Sequence, residues 1–192
     1  LALRPDGASG LLVSSIYAFR DYQLKRAWTW EHQAITRARF CAGDKSIGDQ
    51  FEKIKFDIVT SQRDTNKLKK EIIEMRERML EKHNIDKDYF NLKQDRGGII
   101  DIEFIVQYLV LAFSFSHKEL TQNIGNIGLL NFFSEKGIME ASIAKQLVDA
   151  YRAYRTFQHH LGLEAKLDGN IKYSEVGFHP KEVIKIWNQT FN

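Results

Sequence analysis

Apolar side chains recur at three- and four-residue spacing along most of this chain, which predicts a protein built from helices. Ser14 or Ser15 offers an N-cap for a first helix carrying Ile16, Phe19 and Leu24. A second helix is predicted over residues 30–41 with Gly43 closing it, and two more over 44–59 and 64–83. The last of these sets Leu68, Ile72, Met75 and Met79 on one face as core. Residues 90–95 read as a short extended segment before the paired glycines Gly97 and Gly98. The next stretch, 101–116, is apolar nearly all round and predicts a helix at the centre of a bundle. Helices near 125–135 and 180–190 flank a long one over 140–163, whose Ile143, Leu147, Ala150, Tyr154 and Leu161 face inward. Residues 1–13 are the exception. They alternate like a strand that enters a glycine turn at residues 5–7, as the end of a sheet.

Composition narrows the class without changing this picture. In 192 residues there are only two prolines and twelve glycines, so helices run uninterrupted, and 43% hydrophobic with 28% charged residues is the balance of a folded globular protein. The 28 basic residues are nearly matched by 25 acidic ones and are dispersed, which gives no support for nucleic-acid binding. One cysteine, Cys41, excludes an internal disulfide and fits a reducing compartment, so the cytoplasm is expected. The longest apolar stretch, residues 104–115, is too short to span a bilayer.

Three strings carry candidate chemistry: LALRPDGASGLLVSS at 1–15, AWTWEHQAITRAR at 27–39 and LKQDRGGIIDIEF at 92–104. In the first, the Arg4 guanidinium suits bidentate phosphate binding or a buried ion pair that anchors the strand. Gly7 and Gly10 bracket a loop whose amides can cradle a phosphate or simply turn the chain. In the second, Trp30 and Arg37 share a helical face that can stack on a base and contact phosphate, or serve domain packing, while His32 is a proton acceptor or a structural group. In the third, Lys93 and Arg96 bring positive charge to a loop that feeds a helix N-terminus, and Gly97 and Gly98 permit close backbone approach. The alternative there is that Asp101 caps the helix and complements its dipole. Glu103 is expected to pair with an arginine, because a buried helix rarely carries a lone carboxylate. Asp101 and Glu103 lie two apart on a helix, point to different faces and make a poor shared metal site. Arg152, Arg155 and His159 fall on one stripe of the long helix and read as a solvated face.

Taken together, the three strings resemble the adenylyl-transferring half of the bifunctional glutamine synthetase adenylyltransferase/adenylyl-removing enzyme family. Its pattern runs Arg-Leu-Arg-Pro-x-Gly, then Trp-Glu-His-Gln-Ala, then Gly-Gly-x-x-Asp-x-Glu-Phe. Ala2 stands where that pattern has a further arginine. The resemblance implies a mainly α chain: residues 1–45 as the C-terminal end of a nucleotidyltransferase α/β domain, and residues 46–192 as a helical bundle domain. It implies a whole enzyme that uses ATP and Mg²⁺ to move AMP onto a tyrosine of glutamine synthetase in the control of nitrogen assimilation. The metal-binding carboxylates are then expected upstream of Leu1, so that no residue of this chain is assigned a catalytic or metal-binding role and the chain alone is inactive. The implied nucleotide- and phosphate-binding candidates are Arg4, Gly7, Gly10, Trp30, Arg37, Lys93, Arg96, Gly97 and Gly98, with Asp101 and Glu103 as structural, interdomain residues. The alternative is a non-catalytic helical docking or regulatory module that binds glutamine synthetase or a PII-type signal protein.

Overall fold

A computed structural model describes residues 10, 13–83, 86–165 and 169–192. The strand and glycine turn expected over 1–13, and with them Arg4 and Gly7, lie outside the described residues apart from Gly10, which sits in a bend, and Val13. Helices dominate, in the order α1 (Ile16–Lys25), α2 (Thr29–Ile35), α3 (Lys45–Val59), α4 (Thr65–Glu81), β1 (Tyr89–Asn91), α5 (Ile99–Phe113), α6 (Gly125–Glu135), α7 (Ala141–Leu163), β2 (Asn170–Lys172), α8 (Tyr173–Val176) and α9 (His179–Phe191). The mainly α class expected from periodicity is the class observed.

The helix starts follow local chemistry. The Ser15 hydroxyl accepts from the Ala18 amide at 3.1 Å, and the Asp44 carboxylate accepts from Ser46 and Ile47 at the head of α3. The Ser46 hydroxyl, which also donates to this carboxylate, and then those two amides hold the Asp44 carboxyl below its ordinary range. The second helix departs from expectation. It ends at Ile35 rather than Cys41, because the amides of Arg37 and Ala38 bond back three residues to Ala34 and Ile35, tightening the chain into a turn. The Asn123 side chain then donates to the Arg37 carbonyl at 3.0 Å, which satisfies a group the helix would otherwise have used. Cys41 is therefore on an exposed loop and shares no helical face with Trp30.

The chain forms two compact units. The first runs to Ile72 and includes Gln107–Asn123; α1 and α2 pack on α3 there, over a core of Phe19, Tyr22, Ile35, Ile58, Val59, Leu68 and Ile72. The second comprises Ile73–Val106 and Ile124–Asn192. In it α7 packs against α6 and α9 around Leu130, Phe133, Leu147, Tyr154, Val183 and Ile186. Its two strands pair antiparallel, Tyr89 opposite Lys172, Phe90 opposite Ile171 and Asn91 opposite Asn170. On α5 nearly every side chain from Ile99 to Leu111 is buried, as the all-round apolar pattern requires. On α4 the buried stripe is Leu68, Ile72 and Arg76, while Met75 and Met79 are only half-buried. The predicted face was thus displaced by one position towards an arginine.

Candidate functional site

Two places gather polar chemistry, one in each unit. In the second unit the loop 92–98 is clamped from several sides. Asn91 closes β1, and its side-chain oxygen accepts from the amides of Lys93 and Gln94, turning the chain. Asp95 is buried; it accepts from the Asn91 amide at 2.7 Å and contacts His83 Nε2 at 2.7 Å. Arg76, 1% exposed, reaches up from α4. Its Nε donates to Asp101 Oδ1 at 2.5 Å, and its Nη2 donates to the carbonyls of Gln94 and Asp95 at 2.7 and 3.2 Å. The other Asp101 oxygen accepts the Gly97 amide at 2.6 Å. Asp101 thus sits in the first turn of α5 and reaches back to Gly97, two residues ahead of the helix start, much as a capping-box carboxylate does. The Gly97 carbonyl in turn accepts the Tyr154 hydroxyl at 2.8 Å. Burial, with the charges of Asp101 and Glu182, pushes that phenol far above its ordinary range, so it stays a neutral donor.

The glycine pair has a packing reason. Gly97 has φ +83°, and a Cβ there would lie 2.4 Å from the Pro180 carbonyl oxygen; one at Gly98 would lie 2.7 Å from that of Leu92. The close approach permitted by these glycines is to the protein's own backbone. Lys93 is exposed, while Arg96 lies 5.6 Å over the Trp187 ring and pairs with Glu77. Glu103 is half-buried on α5. The buried arginine of this region, Arg76, meets Asp101.

The second place is in the first unit, where the Trp-Glu-His-Gln-Ala segment begins. Glu31 is buried and accepts the Trp28 amide at 2.8 Å and the Tyr22 hydroxyl at 2.9 Å, fixing the start of α2. His32 Nε2 donates to the Gln23 carbonyl at 3.0 Å, which leaves Nδ1 to accept from Arg63 Nη1 at 3.1 Å. Burial pushes this imidazole below its ordinary value against the pull of the Gln23 carbonyl, and the Arg63 charge lowers it further. It is held neutral as a positioning group for Arg63. Trp30 is half-buried in α2 and Arg37 is exposed in the turn after it. A cleft of about 420 Å³ opens beside His32, lined also by Arg26, Trp28, Thr29, Arg63 and Lys67.

These two places hold the candidates in different units, with Trp30 and Arg37 in the first and Lys93, Arg96, Gly97 and Gly98 in the second. Among the described residues no group of three His, Cys, Asp or Glu side chains is arranged to hold a metal, so these residues do not fit a Mg²⁺ site. The Arg152, Arg155 and His159 stripe is exposed, as expected. Sequence reasoning missed Arg76 and Arg63. A signal for the first existed, since Arg76 falls eight residues after Leu68 and four after Ile72 on an apolar stripe. Arg63 stands in the loop between α3 and α4 and carried none.

A family model described as GlnD PII-uridylyltransferase matches residues 66–170, and one described as glutamate-ammonia ligase adenylyltransferase matches residues 1–54. The chain is 52% identical to a bifunctional glutamine synthetase adenylyltransferase/adenylyl-removing enzyme of Nitrosomonas europaea, over 85% of this chain and 18% of that protein. It is 45% identical to the protein so named from Aromatoleum aromaticum, over the whole of this chain and 20% of that one, and 54% identical to that of Chromobacterium violaceum, over 83% and 18%. The chain belongs to this family of bifunctional glutamine synthetase adenylyltransferase/adenylyl-removing enzymes, and spans about a fifth of the length of these relatives. No described helix is long and apolar enough to cross a membrane.

Proposed function

We propose that this chain is part of an enzyme that transfers AMP from ATP to a tyrosine hydroxyl of glutamine synthetase, in the cytoplasm, as a control on nitrogen assimilation. The observation that carries this reading is identity of 45–54% to relatives bearing that name over at least 83% of the chain. In such a transfer a hydroxyl attacks the α-phosphate and pyrophosphate leaves, so carboxylates must hold Mg²⁺ while cations steady the triphosphate. The carboxylates are supplied outside residues 1–192. Residues 1–45 end the nucleotidyltransferase domain, contributing Arg4, Gly7, Gly10, Trp30 and Arg37 towards the nucleotide, and 46–192 form the helical domain that presents Lys93 and Arg96. The clamped loop supports this last assignment for Lys93, because the fixed backbone sets where its exposed side chain leaves the loop.

The test measures AMP incorporation into glutamine synthetase by the whole protein, by the 192-residue chain, and by whole-protein Arg37→Gln and Lys93→Gln variants. Transfer by the whole protein alone, with kcat/KM reduced roughly tenfold in each variant, is expected for the loss of one charge-assisted contact. Transfer by the chain itself refutes the placement of the carboxylates. Glutamine synthetase binding with no transfer by the whole protein favours the docking-module reading, and a PII-type protein added to the same assay reports whether it is a further partner.

A further inference from the structure

The cleft beside His32 lies wholly within the first unit and has a charge balance that none of the residues assigned above explains. Three cations line it, Arg26, Arg63 and Lys67, against two carboxylates, Asp64 and Glu71. Both carboxylates are engaged. Asp64 accepts from the amides of Asn66 and Lys67 at 2.9 and 3.1 Å, which also closes the head of α4 to any external anion. Glu71 accepts the Thr29 hydroxyl and lies 3.8 Å from Lys67.

Arg63 is the anomaly. Its guanidinium is half-buried and held in place, Nη1 against His32 and Nη2 donating to the Ile58 carbonyl at 2.9 Å. Its Nε is buried and has no partner, and among the described residues no carboxylate lies within ion-pair distance of it. A guanidinium taken out of water with no carboxylate in contact is costly; the Glu71 charge acts on it from beyond ion-pair distance, and the neutral His32 that positions it supplies none. The geometry points to a phosphate-binding site in this cleft, in which Arg26, Lys67 and the half-buried Arg63 guanidinium donate to the oxygens of one phosphate group. A phosphate fits better than a carboxylate because it offers more acceptor oxygens and a second negative charge to a set whose own carboxylates are committed. Trp28, 66% exposed at the rim, adds a flat indole face on which the base of a nucleotide can stack. The phosphate belongs either to a nucleotide or to a free oxyanion. The site uses none of the residues assigned to the adenylyl-transfer reading and stands or falls apart from it.

The test is calorimetric titration of the purified chain with inorganic phosphate, with ATP in the absence of metal, and with acetate as control. Arg63→Gln is expected to weaken phosphate binding by roughly tenfold or more, as loss of a charge-assisted hydrogen bond requires. The Arg26→Gln/Lys67→Gln double variant changes only exposed side chains, and is expected to show the same loss with unaltered thermal unfolding. Tighter binding of ATP than of inorganic phosphate, with the difference removed by Trp28→Ala, identifies a nucleotide as the source; equal affinity identifies a free oxyanion. No phosphate binding, binding unchanged in both variants, or acetate binding as tightly as phosphate overturns the proposal.

Discussion

Replacing Arg76 by methionine tests whether the buried ion pair, and not merely its hydrocarbon, organises the second unit. Arg76 is 1% exposed and Asp101 is fully buried, so the variant leaves a carboxylate without its cation in the protein interior. Breaking a buried pair in this way costs about 3–5 kcal/mol. Against a total stability of about 5–15 kcal/mol this is a large fraction, and for a chain of this size it corresponds to a fall in Tm of about 6–20 °C. The carbonyls of Gln94 and Asp95 lose their donor as well, so the loop is expected to open with the pair. Urea and thermal unfolding followed by circular dichroism measure the loss, and faster exchange of the Gly97 amide reports the loop. Asp101→Leu is expected to cost as much, because it strands the guanidinium and the Gly97 amide together. The double variant Arg76→Met/Asp101→Leu buries no charge, and its cost should fall short of the sum of the single costs by at least about 1 kcal/mol. A single-variant cost below about 1 kcal/mol, or strict additivity in the cycle, refutes the argument.

Three further outcomes follow from the same structure. Gly97→Ala forces a Cβ to within 2.4 Å of the Pro180 carbonyl at φ +83°, so a loss of about 1–3 kcal/mol or more is expected in denaturant melts; a neutral substitution contradicts the packing. The His32 pKa lies below its unfolded value, so between the two values the unfolded chain binds the proton that the folded chain refuses, and stability must fall as pH drops through the ordinary histidine range. The slope from this group reaches at most about 1.4 kcal/mol per pH unit, and it should vanish in His32→Asn measured over the same window. Ser15→Ala removes the hydroxyl that accepts the Ala18 amide and should cost about 0.5–2 kcal/mol, with Ser15→Gly costing less; equal losses in the two would show that the cap does not act through that bond.

What could be read from residue order alone were the features whose cause is local. The helices α3, α4, α5, α6, α7 and α9 follow from three-to-four spacing, with bounds within a few residues of those expected, because i, i+4 contacts and N-caps such as Ser15 and Asp44 act within one turn. Family membership was legible for a related reason, as strings such as WEHQA keep their order whatever surrounds them. Tertiary structure decided what depends on partners far along the chain. It stopped α2 at Ile35, where Asn123 takes the Arg37 carbonyl from 86 residues away. It paired Phe90 with Ile171, which no hydrophobic pattern specifies for strands of three residues. It also gave Gly97 a neighbour in Pro180, and made Arg76 the buried partner of Asp101. An arginine is stable at such a position only when a carboxylate and two carbonyls converge on it, and that convergence exists only once α4, α5 and the loop between them have folded together.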